Sequence, residues 1–176
     1  MPYLTLLILT PWLGALLMAL LGALHIDDRL SKIVATLWSL IPLGLALLIW
    51  AGFDGNALDQ GQGAIQFAER VPWITAIKVD YFVGVDGISL PLVLLTTVMT
   101  PIAMLASFGI GERAKLHYAL LLILEGAMLG YFVALNFFFF FIFWEFSLVP
   151  AYFLIQHWGR DPEKRRGAAL TFFVYT

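Results

Sequence analysis

The 176-residue chain is 61% AVILMFWYC and only 12% charged, with a mean hydropathy of +0.90 and a formal net charge of −2. Soluble chains hold roughly 45–50% apolar residues, glycine included, and about 25% charged ones, so too few polar residues remain here to clothe a soluble domain of this size. Zero cysteines exclude a disulfide scaffold, thiolate metal sites and cysteine nucleophiles, and 10 Lys+Arg against 12 Asp+Glu leave no basic surface for nucleic acid. The chain reads as an integral membrane protein.

The first uncharged run, residues 3–24, is long enough to cross about 30 Å of hydrocarbon as a helix. No basic residue precedes it and it exceeds the usual signal-peptide core, so it reads as a retained span. Runs 33–53 and 87–110 make the second and third spans. Between them, the Gly-, Gln- and Asp-containing segment 54–86 reads as an ordered loop or short hairpin. Residues 116–155 are interrupted only by Glu125 and Glu145 and would make about 60 Å of helix, twice the membrane. This stretch must fold back, and Ala134–Leu135–Asn136 is the expected hinge, giving spans 116–134 and 136–157. A further apolar run begins near residue 167 and is too short to cross. The expectation is therefore a single all-α membrane domain over 1–176, with five full transmembrane helices and the start of a sixth.

Eight of the ten basic residues fall in the loops after spans one, three and five; only Arg70 and Lys78 fall on the other side. The positive-inside rule then puts the N-terminus and segment 54–86 outside, and the 160–166 loop in the cytoplasm or its organellar equivalent.

Two acids remain at bilayer depth. Glu125 lies near the centre of span four and Glu145 near the centre of span five; neither side chain is long enough to snorkel to water. At 100° per residue Glu145, Tyr152 and Gln156 share a face, as do Tyr118, Glu125 and, if it lies before the hinge, Asn136. Such thin polar stripes should face protein or internal water. An intramembrane carboxyl whose protonation depends on a nearby cation suits proton relay. The plainer reading is a Glu that only hydrogen-bonds between helices; two acids on consecutive helices favour the relay. Pro150 cannot donate to the Phe146 carbonyl, nor Pro101 to that of Thr97, so kinks are expected beside Glu145 and the 96–100 threonines.

Gly126, Gly130 and Ala134 form a small-residue ridge suited to close helix packing. Phe137–Phe141 covers every face of a turn, so it meets both lipid and helices. Trp144 reads as a packing residue and Trp158 as an interfacial anchor. His157, at the end of span five, reads as an interfacial, hydrogen-bonded histidine. No metal-ligand cluster, haem pair, phosphate loop or nucleophile elbow is present in the sequence.

Several segments also resemble one family. Val83-Gly-Val-Asp-Gly-Ile-Ser-Leu-Pro-Leu92 resembles the opening of the third span in the M-type, or fourth, antiporter-like subunit of respiratory complex I, NADH:quinone oxidoreductase. Leu120-Leu-Leu-Ile-Leu-Glu-Gly-Ala-Met-Leu-Gly130 is similar to its fourth helix. Phe143-Trp-Glu-Phe-Ser-Leu-Val-Pro-Ala-Tyr-Phe-Leu-Ile155, followed by Trp158-Gly159, is similar to its fifth, and Phe172-Phe-Val-Tyr-Thr176 to the start of its sixth.

The resemblance implies a proton-translocating membrane-arm subunit in which Glu145 is a key proton-translocation residue and Glu125 belongs to the same polar axis. In that family the fifth-helix acid is coupled to a lysine on a later, broken helix. NADH, FMN, iron–sulfur clusters and quinone are then expected in partner subunits, with no cofactor or metal in this chain. The expected partners are other membrane-arm subunits, above all neighbouring antiporter-like ones, and the lipid bilayer; the expected location is an energy-transducing membrane such as the bacterial cytoplasmic membrane. Family members are far longer, so the expectation is that this chain is a fragment or a truncated subunit lacking the partner lysines. Many relatives have Asp where Asn136 stands, so that position is given no proton role. Two alternatives stand beside this reading: the homologous subunit of a multisubunit cation/proton antiporter, and a structural membrane anchor with inert glutamates.

Overall fold

The computed structural model describes residues 2–55, 65–75 and 79–176. Residues 56–64, which carry much of the glycine and glutamine of segment 54–86, lie outside the described residues, as does Lys78. The described chain runs α1 (Tyr3–Ala23), α2 (Asp28–Trp38), α3 (Leu40–Gly52), β1 (Gln66–Ile74), β2 (Val79–Val85), α4 (Ser89–Ala106), α5 (Ala114–Val133), α6 (Phe137–Trp158) and α7 (Arg165–Tyr175). Five helical stretches among the described residues are long and apolar enough to cross a membrane, with α2 and α3 acting together as Asp28–Gly52. The chain is a multi-pass membrane protein.

The second span differs from the apolar run that predicts it in two ways. It begins at Asp28 rather than 33, because Asp27 caps the helix, accepting from the amides of Arg29 (2.9 Å) and Leu30 (3.2 Å). The helix thus starts at its cap, in the polar zone, while the apolar run starts at the hydrocarbon. The span is also broken at Ser39. Pro42 has no N–H for the Trp38 carbonyl, and the Ser39 hydroxyl turns back to the Thr36 carbonyl at 2.8 Å.

The expected hinge is where the chain turns. Asn136 caps α6 through the Phe138 amide (2.8 Å), so it lies past the turn and off the Tyr118–Glu125 face. A hairpin of β1 and β2 holds this hinge: the Leu135 amide donates to the Phe82 carbonyl at 3.0 Å, and Val83 bridges Ala134. The hairpin register slips on either side of Glu69–Pro72. Pro72 cannot donate to the ladder, and Phe67 takes a positive φ of 53°, as bulged residues do.

Glu69 of β1 grips the start of α1. Its carboxylate accepts from the backbone amides of Leu4 (2.7 Å) and Thr5 (3.1 Å) and from the Thr5 hydroxyl, which also meets Tyr81 Oη at 2.9 Å. A remote carboxylate thereby supplies the helix cap that Pro2 and Tyr3 cannot. Burial raises the Tyr81 phenol above its usual range, the Thr5 contact lowers it, and the Glu69 charge raises it again.

At the opposite end the basic loops come together. Lys115 pairs with Asp28 at 3.1 Å, Lys32 donates to the Phe108 carbonyl (3.0 Å), and the Trp158 indole donates to the Glu112 carbonyl (3.1 Å). Between the two ends α5 is the central helix, more buried than the other spans and packed against α1, α2, α4 and α6. Its glycines allow this. Gly126 abuts Trp12 of α1 and Gly130 abuts Phe143 of α6, so the small-residue ridge serves two neighbours. In the phenylalanine run, Phe139 is buried and Phe137, Phe138, Phe140 and Phe141 are exposed, as a segment facing both lipid and protein requires.

Candidate functional site

Glu125 and Glu145 stand ten residues on either side of Leu135, so on antiparallel helices each lies about 15 Å from the hinge. They occupy the same depth on adjacent helices but open into different clefts.

Glu125 is 2% exposed. It lines a cleft of about 160 Å³ between α4 and α5 together with Thr96, Thr100, Ala103, Leu121 and Met128, among others. Across that cleft stands the α4 face of Thr96, Met99, Thr100 and Ala103. Thr100 faces the carboxyl, but its hydroxyl proton goes to the Thr96 carbonyl at 3.0 Å. The same hydroxyl also bears on the Glu125 carboxyl, and its single proton can serve only one of the two acceptors at a time. Thr96 and Thr97 likewise spend their protons on the carbonyls of Leu92 (2.9 Å) and Leu94 (3.0 Å). Both carboxyl oxygens of Glu125 are consequently buried with no hydrogen-bond partner among the described residues. Tyr118, seven residues earlier on the same face, is fully buried and donates to the Met104 carbonyl at 2.8 Å.

Glu145 is placed differently from its expectation. It is exposed, in an open cleft of about 390 Å³ lined by Phe141, Ile142, Phe146, Val149 and Phe173. The predicted stripe does lie on one side of α6: Tyr152 continues it toward α7, its ring 5.8 Å edge-on from Phe173. Among the described residues that cleft is lined by α6 itself and by Phe173 of α7, which is why Glu145 is not enclosed. Pro150 is buried within α6, one turn beyond the Phe146 carbonyl that it cannot serve.

His157 differs in kind from its expectation. Its contacts among the described residues are aromatic, stacking on Phe153 (6.2 Å between ring centres, 8° between planes) and meeting Trp158 edge-on at 5.4 Å. Trp144 is 40% exposed and leans on Phe140 at 5.9 Å, so it is only partly packed. A second histidine, His117, escaped sequence reasoning. It is buried, its Nε2 lies 3.1 Å from Ser107 Oγ, and its Nδ1 has no partner. Spacing could have found it, since residues 117 and 118 lie two turns before Glu125 on α5.

The family model described as NADH-ubiquinone oxidoreductase chain 4, amino terminus, matches residues 69–135, from the Glu69 strand through Glu125 to the hinge. NAD(P)H-quinone oxidoreductase chain 4 1 of Synechococcus elongatus is 39% identical over 173 residues, covering 94% of this chain and 31% of that protein. F420H2 dehydrogenase subunit M of Methanosarcina mazei is 37% identical over 177 residues, covering 100% and 34%. The chain thus spans about a third of the length of these relatives. Among solved structures, respiratory complex I from Thermus thermophilus matches with a TM-score of 0.77 at 23% identity, over 98% of this chain and 32% of that one, a likeness of fold. The chain belongs to the family of M-type, chain 4 membrane subunits of the quinone oxidoreductases, matching the N-terminal part of its members.

Proposed function

We propose that this chain handles protons in the membrane arm of an NADH:quinone oxidoreductase, in which electron transfer in partner subunits drives protonation changes at Glu145 and Glu125. The observation that carries this reading is Glu125. A carboxyl with two unpartnered oxygens inside a membrane bundle costs several kcal/mol in order of magnitude. An acid serving only to join helices would be tied by donors, whereas the hydroxyls facing this one have given their protons to α4. Glu145, at matching depth and open on one side, has the placement of a site completed by a cation from another segment or subunit. The two relatives, a chain of an NAD(P)H-quinone oxidoreductase and a subunit of an F420H2 dehydrogenase, favour a redox complex over a stand-alone antiporter.

On this reading NADH, FMN, iron–sulfur clusters and quinone reside in partner subunits, and neighbouring antiporter-like subunits flank this one. The hairpin faces outward and the basic loops face the cytoplasm of a bacterial cell. In vesicles holding the assembled complex, Glu145→Gln and Glu125→Gln are expected to abolish or strongly reduce proton uptake per quinone reduced while the subunit still assembles. Normal pumping by an assembled Glu145→Gln complex would overturn the relay.

A further inference from the structure

The relay leaves one buried ionisable group without a task. His117 sits in the first turn of α5 and is 7% exposed. Its Nε2 lies 3.1 Å from Ser107 Oγ, just past the end of α4. Ser107 gives its own hydroxyl proton to the Ala103 carbonyl at 2.8 Å, so toward the imidazole it can only accept. Nε2 must then carry the proton in the neutral ring, and Nδ1, buried and unpartnered, is a bare acceptor. An unmade hydrogen bond of this kind costs about 1–3 kcal/mol, which packing alone does not explain.

The position of His117 supplies a use. On α4, Thr96, Thr100, Ala103 and Ser107 recur at three- and four-residue steps; on α5, His117, Leu121 and Glu125 do the same. These rows face each other along one seam, and Thr100, Ala103 and Leu121 line the Glu125 cleft. His117 closes the seam at the end of the bundle where the basic loops gather, about 12 Å along the axis from Glu125. One apolar turn, Ala103 with Leu121, separates them. The groups facing His117 are Ser107, the Trp158 ring (4.7 Å between centres) and its neighbour Tyr118, with His157 behind Trp158; Lys115 is engaged by Asp28.

We propose that the α4–α5 seam supplies protons to Glu125 from the basic-loop end, with His117 as the residue that admits them. A proton added at Nδ1 makes the imidazolium, and loss of a proton from either nitrogen into the seam returns the neutral ring. Transfer onward to Glu125 needs water in the turn held by Ala103 and Leu121, so the route conducts only when that turn is hydrated.

The inference rests on Glu125 handling protons, and the test separates the two. In vesicles carrying the assembled complex, His117→Gln, which retains a donor for Ser107, should slow proton pumping on the order of tenfold or more. His117→Ala should lose pumping similarly and regain part of it when imidazole is added, whereas imidazole should not restore Glu125→Gln. Full pumping by His117→Gln beside a defective Glu125→Gln overturns the route and leaves the relay standing. Loss in both His117 variants without imidazole rescue assigns the histidine to packing and also overturns the route. Normal pumping by Glu125→Gln overturns route and relay together.

Discussion

A β-carbon on Gly130 would stand 2.4 Å from Phe143 Cδ1, and one on Gly126 would stand 2.2 Å from the Trp12 indole nitrogen and 3.1 Å from the Ile8 carbonyl oxygen. These absences of side chain let α5 sit between α1 and α6 closely enough to bury Glu125. Gly130→Ala is expected to destabilise the detergent-solubilised protein by about 1–3 kcal/mol, the usual cost of overpacking. Adding Phe143→Leu should recover part of the loss in a double-mutant cycle of thermal unfolding. An unchanged melting temperature in Gly130→Ala would show that the contact gives way freely. The four-residue spacing of these glycines was legible in the sequence; that each serves a different helix was not, because residues 12 and 143 come beside α5 only in the folded bundle. The same holds for the two acids. Their depth follows from counting along the chain, but which one is enclosed depends on which helices pack alongside.

The start of α4 shows what one element owes to its cap. The Asp86 carboxylate accepts from the amides of Ile88 (3.0 Å) and Ser89 (2.7 Å), and its own amide donates to Ser89 Oγ at 3.0 Å, a reciprocal cap. The Ser89 amide foremost holds the Asp86 carboxyl below its ordinary value of 3.8, against a smaller opposing effect of burial. Because the folded-state value is the lower one, the stabilisation is complete above the ordinary value and disappears as pH falls through the folded-state value. Asp86→Ala should cost about 1 kcal/mol, with Asp86→Asn recovering most of it near neutral pH. The stability gap between wild type and Asp86→Asn should stay constant at neutral pH and close on acidification; a gap independent of pH would rule out the charge as its source. Helix boundaries were legible where polarity and length mark them, as at the 134–136 hinge. They were not where a cap or a proline acts inside an unbroken pattern. Asp27 starts α2 ahead of its apolar run, and Pro42 parts α2 from α3 within one.

For the molecule as a whole, the hairpin, the 134–136 turn and the start of α1 meet at one end, and the basic loops meet at the other. The absence of native cysteine makes the proposed orientation directly testable. In intact cells, Val71→Cys on the exposed face of β1 should react with a membrane-impermeant maleimide, and Glu163→Cys should react only after permeabilisation. The reverse pattern would invert the topology. The end-to-end arrangement also bears on how the protein is made. The amides that open α1 are satisfied by a residue 65 positions later in the chain. At synthesis rates of about 5–20 residues per second, Glu69 follows Leu4 out of the ribosome by roughly 3–13 s. Through that interval the first span lies in the bilayer with its leading end held only by water and headgroups. A chain stalled before residue 69 should therefore present a first helix still able to slide or tilt, and translation of the hairpin is the event that fixes its depth.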